Sequence, residues 1–307
     1  MFQLFKMAFR DLGRNRRRTF FSALAIGASL ALLMLMSAVI NGEMGGAIEQ
    51  AIHLQSGHIQ VRAATYDENK NSLKWNDLVE NPAQIASQIA TLPPVEAATP
   101  RLYASGFLAT GNESAGVRVY GIDPVSAANA PYRNGLLSGS FLTADDSGGI
   151  LIGQPMAERL RLNVGDTVSL SVNTANGNVD EQTFIVRGIF STNTYGFDSA
   201  TVLMPLAKAQ AMTQTQNHAS TIFVLLKDTS ATDSVIAALK GSSNLKVLTF
   251  SDMNPLVVEF EQMAKSYIGM FYLIILAIGA SVVINTLIMS VYERTREIGI
   301  LSAIGMR

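Results

Sequence analysis

Three histidines (His53, His58 and His218) are the only imidazoles in the 307 residues, and there is no cysteine. Disulfides, zinc–thiolate centres and cysteine nucleophiles are therefore excluded. His53 and Glu49 can share a helix face, but the paired-histidine spacing of a zinc helix is missing. No G-x-x-x-x-G-K-[ST] phosphate loop occurs, and the glycine-rich stretch Gly148–Gly153 lacks the lysine that would reach a β-phosphate. No G-x-S-x-G nucleophile elbow is present either. The expectation is a chain with no catalytic residue, no metal, no cofactor and no ATP turnover of its own. The chemistry that remains is electrostatic and sits at two places. Lys6, Arg10, Arg14, Arg16, Arg17 and Arg18 crowd the first 18 residues, a cluster suited to anionic lipid. Glu293, Arg294, Arg296 and Glu297 form a mixed-charge cluster near the end of the sequence.

The elements that position these clusters are two apolar runs. Charged residues make up 15% of the chain, against roughly 25% in soluble domains, and mean hydropathy is +0.24. Thr19–Ile40 and Tyr267–Tyr292 contain no charge, and each suffices for the roughly 20 apolar residues of a membrane helix. A cleaved signal peptide would have a shorter apolar run and a small-residue cleavage site, so the first span is expected to be retained. The basic flanks lie outside the spans, and the segment between them has an acidic excess. Both termini are therefore expected in the cytoplasm and the middle segment outside it. A reporter active only outside the cytoplasm should be on when fused after Gly121 and off when fused after Arg307; the reverse pattern would overturn the orientation. With a net charge of -1, no case for nucleic acid arises. Phe2, Phe5, Phe9 and Leu12 recur at helical spacing, which predicts an amphipathic basic helix over residues 1–18 on the inner leaflet. Within the spans Gly27, Gly279 and Asn285 are the candidate helix-packing positions, because small and amide residues allow close approach and hydrogen bonding between membrane helices.

The segment 41–250 is expected to be a mixed α/β extracytoplasmic domain. Strand patterns fall near 57–63, 95–110, 116–122, 166–172, 182–190, 200–204, 220–227 and 246–250. Helical patterns fall at 82–92, 154–162, 206–214 and 231–239. A strand–helix–strand unit at each end predicts a ferredoxin-like, porter-type sheet, with a β-rich subdomain inserted at about 102–218. The fold class is thus an α+β membrane protein with two transmembrane helices flanking that domain. From Ser251 or Asp252 as cap, with Pro255 in the first turn, a stalk is expected to continue into the second span over residues 251–292. Residues 293–307 would follow in the cytoplasm.

Three stretches resemble the FtsX/MacB/Lol-type permeases of ABC systems. They are RDLGRNRRRTFFSALAIG, then GIDP…LLSGSFL…GGILIGQPMAERLRLNVGDTVSL, then YERTREIGILSAIGMR. The second is most similar to the lipoprotein-releasing LolC/LolE permeases. The third resembles the family's R-x-R-E-I-G-I-L-R-A-[LI]-G segment, with Ser302 where a basic residue is usual. The resemblance implies a bacterial inner-membrane permease without catalysis, served by a cytoplasmic ATP-binding subunit. Glu293, Arg294, Arg296, Glu297, Ile298 and Gly299 would form the segment that docks on it. It implies a homo- or heterodimeric permease partner, membrane lipids as surroundings, and lipoproteins or a periplasmic adaptor as further partners. It also implies further membrane helices, beyond Arg307 or on another chain. With only residues 1–18 before the first span, the ATPase is expected on a separate subunit rather than fused ahead of it as in MacB. The expected function is lipoprotein release from the inner membrane. The alternatives are MacB-like efflux or mechanotransmission, control of cell-wall hydrolases, and a two-span sensor, for which no output domain follows Tyr292.

Overall fold

The computed structural model describes residues 16–67, 71–111, 113–239 and 245–305. The chain forms two units. One is helical, up to Ala47 and from Leu256 onward; the other is an α+β unit from Ile48 to Pro255. Lys6, Arg10, Arg14 and the expected amphipathic helix at 1–18, up to residue 15, lie outside the described residues.

Helix α1 spans Arg16–Ala51 and passes into a π-helical turn, Ile52–Ser56. Its 36 residues reach about 54 Å, well beyond a hydrocarbon layer of about 30 Å. The expected end of the first span at Ile40 is therefore not a break in structure. Hydropathy marks where apolar surface stops, whereas the i to i−4 ladder continues through Asn41 and three glycines to Ala51 and passes into the π turn that ends at Gly57. There φ is +69°, and the Gly57 N–H closes on Ile52 O at 2.8 Å.

The α+β unit follows. Its strands are β1 (Ile59–Ala63), β2 (Val79–Glu80), β3 (Val95–Ala109), β4 (Ser114–Ile122), β5 (Leu136–Gly139) and β6 (Gly149–Gly153). They continue with β7 (Thr167–Asn173), β8 (Val179–Phe190), β9 (Thr201–Pro205), β10 (His218–Ala219), β11 (Thr221–Leu226) and β12 (Leu245–Thr249). The helices are α2 (Pro82–Ala90), α3 (Ala130–Asn134), α4 (Gln154–Leu160), α5 (Tyr195–Asp198), α6 (Leu206–Thr213), α7 (Thr232–Leu239) and α8 (Phe250–Met253). Finally α9 runs unbroken over Pro255–Ala303.

Four strands stack in the order β12-β1-β11-β3, every pair antiparallel, with α2 and α7 as the two crossovers. This is the ferredoxin-like arrangement expected from the two strand–helix–strand units. Ile59, Val61, Ile222 and Val224 alternate inward and bury against Ala86, Ile89 and Val235 of the helices. β3 is long enough to serve two sheets. Up to Arg101 it pairs with β11; from Leu102 it pairs with β4, and at Gly106–Ala109 with β7. The inserted strands then close a ring, β3–β4–β9–β6–β8–β7 and back to β3. Leu108, Ile150, Leu170, Phe184 and Met204 fill its interior, and Met156 and Met212 pack in from α4 and α6.

β6 falls where no strand was expected from the sequence. A Cβ on Gly153 would lie 2.0 Å from Asp198 O, and one on Gly149 2.3 Å from the Asp146 carboxylate. These glycines permit close approach inside a fully buried strand. The cap of the second stalk is also different. Thr249, not Ser251 or Asp252, caps α8, in a reciprocal capping box with Asp252. The backbone N–H and hydroxyl of Thr249 hold the Asp252 carboxyl below its usual range. Asn254 separates this turn from α9, whose 49 residues reach about 73 Å.

α1 and α9 are both long and apolar enough to cross a membrane. Their most apolar stretches are 6% and 0% buried, with Leu32, Leu35, Leu273 and Leu276 each more than 60% exposed. Apolar surface on that scale requires a lipid or protein environment.

Candidate functional site

The end of α1 is fastened to the α+β unit by a buried cation. Helix C-termini leave carbonyls without intrahelical donors and attract positive charge. Here Leu54 O, in the π turn, accepts from Arg101 Nη1 at 2.8 Å and also from the Tyr132 hydroxyl. Arg101 Nη2 donates to Asn129 Oδ1 at 3.1 Å and to Ala128 O at 3.4 Å. Its guanidinium carbon lies 3.5 Å from the centre of the Phe223 ring, and the side chain is wholly buried. Burial pushes the Tyr132 phenol well above its usual pKa, so it remains a neutral donor. Arg101 is the residue at which β3 passes from one sheet to the other. One side chain therefore ties together the stalk end, the ferredoxin-like sheet and the barrel.

The start of the second stalk meets the same place. Phe250 of α8, together with Ile48, packs on the cluster of Ile52, Ala97, Ala128, Phe223 and Leu225. The Phe250 N–H donates to His58 O at 3.2 Å, and the His58 N–H donates to Val224 O at 3.0 Å. Gln50 donates to Thr192 O, and Thr192 is held in turn by the buried Asp198, which accepts from its N–H at 2.9 Å and its hydroxyl at 2.7 Å. Within the α+β unit, the residues that end the first stalk and those that precede α9 thus pack on one cluster.

His58 makes this joint sensitive to acid. Its Nδ1 accepts from the Leu226 N–H at 3.1 Å. Burial lowers its pKa from 6.5; Glu49 opposes this, His53 reinforces it, and Glu96 opposes it. The unfolded chain thus binds the proton more readily, and stability falls as pH drops below about 6.5. Thermal melts of the wild type should lose stability between pH 7.5 and 5.5. His58→Asn, which keeps an acceptor without titrating, should flatten that slope. An identical slope in the variant would remove His58 as its source.

The sequence-derived positions are distributed as follows. Arg16 and Arg17 are exposed at the start of α1, and the Arg18 side chain is outside the description. A Cβ on Gly279 would touch Ile26 at 3.9 Å, whereas Gly27 has nothing within 4 Å; Asn285 is exposed. α9 continues through Glu293, Arg294, Arg296, Glu297, Ile298 and Gly299 to Ala303. Arg296, Gly299, Ile300 and Leu301 are exposed, while the side chains of Glu293, Arg294, Glu297 and Ile298 are outside the description. His53 Nε2 lies 2.9 Å from Glu49 Oε1. Among the described residues, no group of three or more His, Asp or Glu could hold a metal.

The family description "MacB-like periplasmic core domain" matches residues 19–242. The chain belongs to this family. Its family is thus that of the FtsX/MacB-like ABC transporter permeases. It is 23% identical over 315 residues to the macrolide export ATP-binding/permease protein MacB of Shewanella sp. (strain ANA-3), covering 98% of this chain and 47% of that one. For MacB of Neisseria gonorrhoeae (strain ATCC 700825 / FA 1090) the identity is 22%, covering 99% and 48%. The chain thus spans about half the length of the curated relatives it matches. The periplasmic region of MacB from Actinobacillus actinomycetemcomitans aligns with a TM-score of 0.46 at 18% identity, covering 69% of this chain and 97% of that one. The MacB-like domain holds Arg101, Tyr132 and Phe223, none of which sequence reasoning singled out. A lone arginine in the apolar run VEAATPRLYASGFL was the available signal.

Proposed function

We propose that this chain is the membrane subunit of an inner-membrane ABC machine, passing motion from a cytoplasmic ATP-binding subunit to its extracytoplasmic domain. The observation that carries this reading is the joint. α1 and the segment leading into α9 end on one buried cluster, fixed by Arg101 and Phe250, so displacement of either stalk is delivered to the domain core. These 307 residues contain no phosphate loop, so the hydrolysis in this reading lies outside them. The chain contains no cysteine, so a single Val125→Cys, at a position 78% exposed on the domain, can be labelled cleanly. In the full-length dimer with its ATPase, the distance between the two labels should change between nucleotide-free and ATP-trapped states. A distance that does not respond to nucleotide would sink the transmission reading.

Two cargo readings follow from different observations. The segment from Gly121 to Leu170 resembles lipoprotein-releasing permeases and supports a lipidated protein drawn from the outer leaflet. The relatives named for macrolide export support a macrolide instead. Mass spectrometry of what copurifies with the full-length complex from native membranes separates the two.

A further inference from the structure

Between Asn41 and Ala47, α1 carries Gly42, Gly45 and Gly46. Glycine is the poorest helix former after proline, because its unfolded backbone has the most freedom to lose. Helices usually retain it where another element approaches too closely for a Cβ. That reason is missing here: a Cβ at any of the three would meet nothing within 4 Å, and all three are exposed. The contrast within the chain is clear, since a Cβ on Gly106 or Gly153 would lie 2.2 or 2.0 Å from a backbone oxygen.

Their position is as informative as their exposure. The compact α+β unit begins at Ile48, two residues beyond Gly46. Beyond that point the helix end is locked by Arg101 and Tyr132. The corresponding stretch of the other stalk is built in the opposite way. From Pro255 to Ile268 α9 has no glycine, carries Val257 and Val258, and is braced by a Lys265–Glu261 ion pair at 2.5 Å. We propose that Gly42–Gly46 is a hinge in α1, a soft turn on which the domain tilts while the glycine-free stretch Pro255–Ile268 of α9 stays straight. Its use rests on the transmission reading above; its softness does not.

The two can be tested apart. In the full-length complex, Gly42→Ala, Gly45→Ala and Gly46→Ala are combined and amide exchange is followed at residues 42–47. Each alanine makes local opening roughly fivefold rarer, so exchange there should slow by about 100-fold in the triple variant. ATPase coupling to domain motion, read from the Val125→Cys label pair, should fall while assembly on native mass is kept. Adding Ala47→Gly to the Gly45→Ala, Gly46→Ala pair should return part of both, since a hinge tolerates a shift of one residue and a packing contact does not. Unchanged exchange in the triple variant would overturn the hinge. So would loss of the dimer, which would show the glycines to be packing positions against a partner. Slowed exchange with coupling intact would leave a soft turn that the machine does not use, and the hinge role would be withdrawn while the transmission reading stands.

Discussion

Arg101→Ala should lower the melting temperature of the α+β unit by roughly 6–20 °C. The side chain is fully buried, and its removal acts in three ways. Asn129 Oδ1 and Ala128 O lose their donor in the interior, at about 1–3 kcal/mol for each acceptor left unpaired. The end of α1 loses the cation at its carbonyls, and the guanidinium volume beside Phe223 becomes a void. Against this, Tyr132 still donates to Leu54 O, and the cost of desolvating a charge disappears. A net loss of about 3–5 kcal/mol remains, and near this size each kcal/mol moves the midpoint by about 2–4 °C. Arg101→Lys keeps the charge but not the planar fork, so it should recover less than half of the loss. Arg101→Met fills the space without donating and should lie between Ala and Lys. If all three variants melt with the wild type, Leu54 and Asn129 find other donors and Arg101 does not hold the joint. A melt that is unchanged while nucleotide-driven domain motion is lost would instead assign Arg101 to transmission alone.

The ferredoxin-like order was readable from sequence because its two strand–helix–strand units are each local and each follow a clean period. Ile59, Val61, Ile222 and Val224 alternate as expected of half-buried strands. The barrel was legible as β-rich but not as a ring, since ring closure depends on pairings such as Leu108 with Leu170, far apart in sequence. β6 was hidden because its bounding glycines serve close contacts with Asp146 and Asp198, which a single sequence cannot distinguish from turn glycines. The first stalk was hidden for a different reason. Hydropathy falls at Asn41, yet the helix runs on through the glycines and the π turn to Gly57. The joint was the least legible part. Arg101 joins Leu54, Asn129 and Phe223, whose chain separations are set only by the completed topology. The charged segment after the second span is a contiguous motif, so its reading depends on no long-range pairing.

Reversing charge in that motif should uncouple the machine without touching the domain. Arg296 and Glu297 lie near the end of α9, in the helical unit, and the α+β unit from Ile48 to Pro255 has its own core. Arg296→Glu and Glu297→Arg should therefore leave the thermal melt of that unit where it was. If the segment docks on an ATP-binding subunit, each reversal leaves a partner charge unpaired in a dry interface, at about 2–5 kcal/mol. Retention of the ATPase on the purified full-length permease should then fall by about 30- to several thousand-fold. A helix end with no partner behaves differently, because an exposed charge is worth under about 1 kcal/mol and retention would change less than tenfold. Gly299 sharpens the comparison. It is exposed and nothing lies within 4 Å of where its Cβ would be, so Gly299→Leu is harmless to α9 itself. At a docking face that bulk should block close approach and weaken retention alongside the charge reversals. The double variant Arg296→Glu, Glu297→Arg tests whether the two charges act on separate partners. If they do, losses should add; if they pair mainly with each other, the swap should restore retention. Full retention in all four variants would return the segment to an ordinary juxtamembrane helix end and place the ATPase contact elsewhere in the complex.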